Sequence, residues 1–187
     1  MSNSSVLWDK ASLIEAITTH HHPFLNAIAE LPEEAFTYSW NGKWTPAQQL
    51  VHITKSVQPV RFAFALPSFL LKFSFGKTNR PTASYDAVVQ KYQKALTKVT
   101  RAAPKQFQPK SISYSQKEQV CFSYNKEVQR LKKVLAQFDE NALDTYVLPH
   151  PLVGKLTLRE MVFFTIYHVQ HHHRITKEIL ENVPLVE

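Results

Sequence analysis

Two histidines near the carboxyl-terminal end of the chain, His168 and His172, are four residues apart. On an α-helix this spacing places both imidazoles on one face, one turn apart. Neutral imidazole nitrogens at about 2.0–2.1 Å are ordinary zinc ligands, and a third from another helix would leave coordination positions open. The pair therefore indicates part of a divalent-metal site, although in a chain with nine histidines it also fits a histidine-rich exposed face.

His52 is the best candidate for the third ligand. Its immediate neighbours in sequence are apolar, and an unpaired polar side chain is costly to bury among such residues. Gln49 lies three residues earlier, where it can orient the imidazole or bind a water, although a solvated glutamine is the simpler interpretation. We therefore predict an open site in which His52, His168 and His172 bind one metal ion.

The remaining histidines carry weaker predictions. They are His20, His21, His22, His150, His171 and His173. No single helical face can present all of residues 20–22, so we expect them to be partly exposed, with one of them able to line the bundle end. The histidines beside His172 point to other faces of the helix, and His150 lies between two prolines in an expected loop. His171 and His173 are predicted to lie at the surface or next to the ligands, with a shifted choice of ligands as a lesser alternative. His150 is predicted to be structural or exposed.

Other catalytic patterns are absent from the sequence. Glu160 lies eight residues before His168 and so about 80° off its helical face. The chain has no Gly-rich phosphate loop and no Gly-x-Ser-x-Gly motif. No general base is evident, and the catalytic residues beyond the metal site stay unassigned.

Hydrophobic periodicity predicts the helices that must position these residues. The predicted segments run over roughly residues 6–31, from 46 towards 59 or 69, and over 84–103, 115–138 and 157–182. Thr45 with Gln48, and Thr157 with Glu160, have the spacing of capping boxes. Pro23 is expected to kink or divide the first helix. The Phe-rich stretch 62–75 is either a continuation of the second helix or an apolar lid.

Composition fits one all-α domain over residues 1–187. The chain is 44% hydrophobic, and three glycines against eleven prolines leave few of the tight turns that antiparallel sheets need. The formal net charge of +7 raises the question of a nucleic-acid partner. Because the cations are spread along predicted helices and no basic recognition motif accompanies them, a nucleic-acid partner ranks last among the functions considered.

The sequence also allows predictions about the cellular compartment and about a membrane partner. The uncharged, phenylalanine-rich run between Arg61 and Lys72 is shorter than the roughly 20 residues needed to cross a bilayer, so no membrane partner is expected. The lone Cys121 cannot form an internal disulfide, and the amino terminus lacks signal-peptide features. A cytoplasmic location is therefore predicted.

Two segments resemble the DinB/YfiT-like superfamily. They are Trp44-Thr-Pro-Ala-Gln-Gln-Leu-Val-His52-Ile, and Gly154-Lys-Leu-Thr-Leu-Arg-Glu followed by His168-Val-Gln-His-His172. The resemblance covers most of the chain and implies a four-helix up-down bundle with short extra helical segments, often dimeric. It also implies nickel or zinc held by the histidines at these matching positions. The chain departs from many relatives after the last histidine, where it has His173-Arg174-Ile175 instead of an Arg-Gly-Gln triplet.

The resemblance extends to function. Relatives include transferases and isomerases that use low-molecular-weight thiols, so we expect either a metal-dependent hydrolase or a thiol S-transferase acting on a small-molecule substrate. A metal ion can ionise a thiol without a separate base, which favours the transferase slightly. The alternative is a noncatalytic metal- or ligand-binding bundle, as a stress-related homodimer.

Overall fold

The computed structural model describes residues 8–100 and 102–184. These residues form eight α-helices, two 3₁₀ turns and one two-stranded sheet. The helices are α1 (Lys10–Ala29), α2 (Glu33–Thr37), α3 (Pro46–Phe64), α4 (Ser68–Phe75), α5 (Tyr85–Leu96), α6 (Lys117–Gln137), α7 (Glu140–Leu143) and α8 (Leu158–Leu180). The strands are β1 (Val147–His150) and β2 (Gly154–Thr157), and the 3₁₀ turns are Lys105–Phe107 and Tyr114–Gln116. The mostly helical class predicted from the sequence is confirmed.

The four long helices pack around a common core. α1 packs against α6 and α8, and α3 packs against the same two helices. Residues that are 0% exposed come from all four helices, for example Ile17, Leu50, Leu131 and Val162. Burying such side chains stabilises the fold by about 1.5–3 kcal/mol each.

Contacts between the helix ends give their directions. The start of α1 meets the end of α6, where Lys10 donates to the carbonyl of Phe138, so these helices are antiparallel. α3 is antiparallel to α8, since Gln49 lies by His172. By contrast, α3 runs parallel to α6. The long helices therefore do not alternate in direction along the chain, because the extended connection from α3 to α6 allows parallel neighbours.

Both predicted capping boxes are present. Thr45 and Gln48 exchange side-chain and backbone hydrogen bonds at the start of α3, and Thr157 and Glu160 do so at the start of α8. Glu160 is 0% exposed and also accepts hydrogen bonds from the Ala83 amide and the Arg80 guanidinium. These contacts fix the entry of α8, the helix that carries two of the candidate ligands.

Several boundaries differ from the sequence predictions. α1 continues through Pro23 without a break, and its predicted start at residue 6 lies outside the described residues. α3 ends at Phe64, and Pro67 is the N-cap of the separate helix α4, so the Phe-rich stretch does not simply continue α3. α5 ends at Leu96, earlier than the predicted residue 103.

The expected loop over residues 148–155 is a β-hairpin. β1 and β2 pair antiparallel from Val147 with Thr157 to His150 with Gly154. Gly154 has φ +75°, a left-handed conformation that a side chain disfavours, where the chain enters β2. Because proline is rare in paired strands, Pro149 and Pro151 favour the prediction of a loop at this position.

Among residues 8–100 and 102–184, none of the helices combines the length and the apolar character needed to cross a membrane.

Candidate metal centre

The structure brings His52, His168 and His172 together. His168 and His172 lie one turn apart on the buried face of α8, and His52 faces them from the second turn of α3. Each residue is only 6–7% exposed. One ring nitrogen from each lies within 4.8 Å of the other two.

Hydrogen bonds orient two of the three imidazoles. The Nδ1 of His52 donates to the backbone carbonyl of Phe107 at 2.8 Å. The Nδ1 of His172 donates to the Oε1 of Gln49, whose Nε2 in turn donates to the carbonyl of Trp44 at 3.1 Å. Since a carbonyl oxygen can only accept, Nδ1 carries the proton in both rings. Their Nε2 atoms are therefore unprotonated and free to bind a metal.

The distances between the Nε2 atoms fit one shared ion. They are 3.4 Å between His52 and His168 and 3.0 Å between His168 and His172. Zinc–nitrogen bonds of about 2.05 Å at the tetrahedral angle separate two ligand nitrogens by about 3.3 Å. Right-angled octahedral bonds of about 2.1 Å separate them by about 3.0 Å. These two distances are consistent with either geometry, and all three ligand atoms lie within 4.8 Å of one another.

Burial keeps the three rings in the neutral form that binds metals. It is the main cause that lowers the pKa of His52 and places the pKa of His168 and His172 well below the ordinary value. Neighbouring imidazoles lower the pKa of His168 and His172 further, because a charge on one ring disfavours a charge on the next. All three rings are therefore neutral at pH 7.

Aromatic side chains surround the cluster. Phe164 stacks on His168 with ring centroids 4.8 Å apart, and Trp44 lies 4.8 Å from His52. Tyr92 contacts His168 edge-on at 6.0 Å. Such packing excludes water from the inner side of the site and holds the rings in place.

An open pocket of about 310 Å³ leads to the cluster. Its lining consists of Gly42, Lys43, Trp44, Gln49, His172 and Ile175. At the rim, Lys43 pairs with Glu178 of α8 at 2.7 Å. The pocket gives a small molecule a route to the side of the cluster nearest His172.

The other histidines lie outside the cluster. His150 accepts backbone N–H groups of the hairpin turn, and burial lowers its pKa to about 4. His171 and His173 point away from the cluster's centre, His171 towards Tyr92. His171 and His173 are partly exposed.

The run of residues 20–22 is divided by the helical period. His22 is exposed and His20 is half-buried, whereas His21 is 1% exposed and lies 2.7 Å from the Tyr124 hydroxyl. Burial lowers the pKa of His21 to about 3. The expectation of partial exposure is therefore wrong for His21, because position 21 falls on the apolar stripe of α1.

Sequence reasoning missed one part of the site. The carbonyl of Phe107 that orients His52 belongs to a 3₁₀ turn in the connection between α5 and α6. Main-chain oxygens are present at every position, so side-chain identity gave no signal for it. Trp44, which opens the segment that resembles the family, lines the pocket.

Comparison with known proteins gives one match. A family model described as the DinB superfamily matches residues 16–176 of the chain. No curated protein and no solved structure matches significantly.

Proposed function

The chain belongs to the DinB superfamily, and on that premise we propose that His52, His168 and His172 hold a divalent ion that activates a small-molecule substrate. The convergence of three imidazole nitrogens from two helices carries this proposal. In the described part of the chain, these three histidines are the side chains grouped closely enough to hold an ion. A site with three protein ligands has positions left for an exogenous one, as catalytic metal sites do.

When bound, the ion would act as a Lewis acid that lowers the pKa of a coordinated thiol or water. The chain's own residues would orient the ligands and shape the pocket. Gln49 holds the tautomer of His172, and Phe107 holds that of His52 through its carbonyl. Trp44 and Ile175 form apolar walls on which the non-reacting part of a substrate would pack.

Between the two reactions expected from the resemblance, we favour transfer of a low-molecular-weight thiol to an electrophile. The pocket lining has no aspartate or glutamate, and the carboxylate of Glu178, which meets the rim at Lys43, is ion-paired with that lysine. A hydrolase would benefit from a general base within hydrogen-bond reach of the attacking water. A metal-activated thiol needs none.

Related proposals follow from the same premise. We infer that α1, α3, α6 and α8 are the family's four-helix bundle, that the chain is one domain, and that it works as a homodimer. Nickel or zinc are the ions we favour, because imidazole nitrogens suit both. A noncatalytic metal-binding bundle is the alternative.

Metal analysis tests the site. Protein purified without a polyhistidine tag or nickel resin should bind one equivalent of zinc or nickel. The His168→Ala variant should lose the ion while keeping its helical circular dichroism. The matched control is His173→Ala on the same helix, which should bind as the original protein does. Absence of bound ion after addition of either metal would refute the proposal.

Enzyme assays then test the reaction. The metal-loaded protein should accelerate consumption of a low-molecular-weight thiol in the presence of an electrophile, and the His168→Ala variant should not. Metal binding without turnover of either thiols or hydrolysable esters would support the noncatalytic alternative.

A further inference from the structure

Helix α4 presents an apolar face to solvent. Phe69, Leu70 and Phe73 are 69%, 36% and 91% exposed, and their spacing of three and four residues places them on one side of the helix. Only Leu71 of this helix is fully buried, at 0% exposure. We call Phe69, Leu70 and Phe73 the α4 face. A folded protein gains nothing in stability from exposing two phenylalanines so fully, which suggests a binding role.

The surroundings of the α4 face are basic. No aspartate or glutamate occurs between residues 35 and 85, and six lysines and arginines do. Three of the six, Lys43, Arg61 and Arg80, are ion-paired with glutamates from other segments. Lys72 is exposed on α4 itself, and Lys77 follows its end. Lys155, from β2, lies near the same end and donates to the carbonyl of Phe75 at 3.3 Å. The strand against which α4 packs, β1, has no acidic residue.

The size and charge of the α4 face argue against its binding to a second copy of the chain. With roughly 200 Å² for each phenylalanine, the α4 face exposes about 400 Å². Two such faces would bury about 800 Å², which is the scale of crystal-packing contacts and below that of specific interfaces. A twofold contact would also bring the lysines of one copy against those of the other.

An anionic lipid surface matches both properties. Aromatic and leucine side chains on one side of a helix enter the boundary between head groups and acyl chains, while nearby lysines contact anionic head groups. We propose that α4 binds the surface of an anionic membrane, with Phe69 and Phe73 inserted and Lys72, Lys77 and Lys155 at the head groups. The contact involves one leaflet. Binding to one leaflet does not require the length needed to cross a bilayer, which was the ground for expecting no membrane partner.

Vesicle sedimentation tests the proposal. The full chain should sediment with vesicles containing phosphatidylglycerol and not with pure phosphatidylcholine vesicles, and added salt should weaken the binding. The double variant Phe69→Ser, Phe73→Ser should lower the bound fraction at least about fivefold, because it removes the inserted side chains. Both positions are exposed, so the fold should persist, which circular dichroism checks.

Phe122 offers a matched control. It is 67% exposed but lies on α6, so Phe122→Ser should change vesicle binding less than about twofold, consistent with scattered surface phenylalanines having no role. The His168→Ala variant should bind vesicles normally, which separates this proposal from the metal site.

Three results would overturn the membrane proposal. One is absence of binding to anionic vesicles, and another is equal binding by the double variant. The third is self-association in analytical ultracentrifugation that the double variant abolishes without any vesicle binding, which would assign the α4 face to a second copy.

Discussion

Gln49 should determine how tightly the site binds its metal. Its side chain is 3% exposed and bridges the Trp44 carbonyl and the Nδ1 of His172. Gln49→Ala removes the acceptor for that N–H group, and an unsatisfied buried donor costs about 1–3 kcal/mol. Changes of residues that orient metal ligands typically weaken metal binding about 10–100-fold. We place Gln49→Ala at the lower end of this roughly 10–100-fold weakening of metal binding, because Gln49 lines the open pocket and water can replace its oxygen.

We therefore expect Gln49→Ala to weaken metal binding about tenfold, or about 1.4 kcal/mol. Gln49→Leu keeps the volume and excludes the replacing water, so its loss should approach about 100-fold. The dissociation constant is measured by competition with a chelating indicator, using chelator-stripped protein without an affinity tag.

Gln48 provides the matched control for this experiment. It belongs to the capping box of α3 and makes no hydrogen bond to the cluster. Gln48→Ala should lower the free energy of unfolding by about 1 kcal/mol or less, as loss of a capping contact does, and leave metal affinity within about twofold. If Gln49→Leu binds metal as tightly as the Gln48 variant, the hydrogen bond to His172 does not control the site.

Three further predictions concern stability. Burial holds the pKa of His21 at about 3, so it stays neutral in the folded state while the unfolded state gains a proton below about pH 6.5. The contribution of His21 to the free energy of unfolding should fall by about 1.4 kcal/mol per pH unit from there towards pH 3. His21→Leu should remove one proton from the pH dependence measured in denaturant titrations, and a slope equal to that of the original protein would contradict this. Glu160→Gln weakens the contacts with Arg80 and the amides and should lower the free energy of unfolding by about 2 kcal/mol, measured by calorimetry. An unchanged melting temperature would contradict a stabilising role of these contacts. Leu131→Ala should cost about 2–5 kcal/mol through a core cavity, yet retain one equivalent of metal.

The helices and the pairing of His168 with His172 could be predicted from the sequence because their signals are local. The four-residue spacing of His168 and His172 and the capping boxes at Thr45 and Thr157 depend on neighbours within one turn. The position of His52 needed the family resemblance, since nothing local states which helix faces α8. That these residues bind metal stays a prediction.

What could not be predicted depends on distant packing. The hairpin of β1 and β2 carries Pro149, which opposes the strand assignment locally. The burial of His21 is stabilised by the hydroxyl of Tyr124, 103 residues away. The separation of α4 from α3 at residues 65–67 likewise has no strong local signal beyond Pro67.

The hydrogen bond from His52 to Phe107 links the site to the connection between α5 and α6. An ion would draw together residues near 49–52, 107 and 168–172, segments up to 123 positions apart. Long-range links of this kind are lost when any one segment opens, so binding should raise the cooperativity of unfolding. Amide hydrogen exchange in residues 105–108 should therefore slow when metal is added, although no side chain of that turn touches the ion. The connection between two helices would thus act as a remote reporter of occupancy.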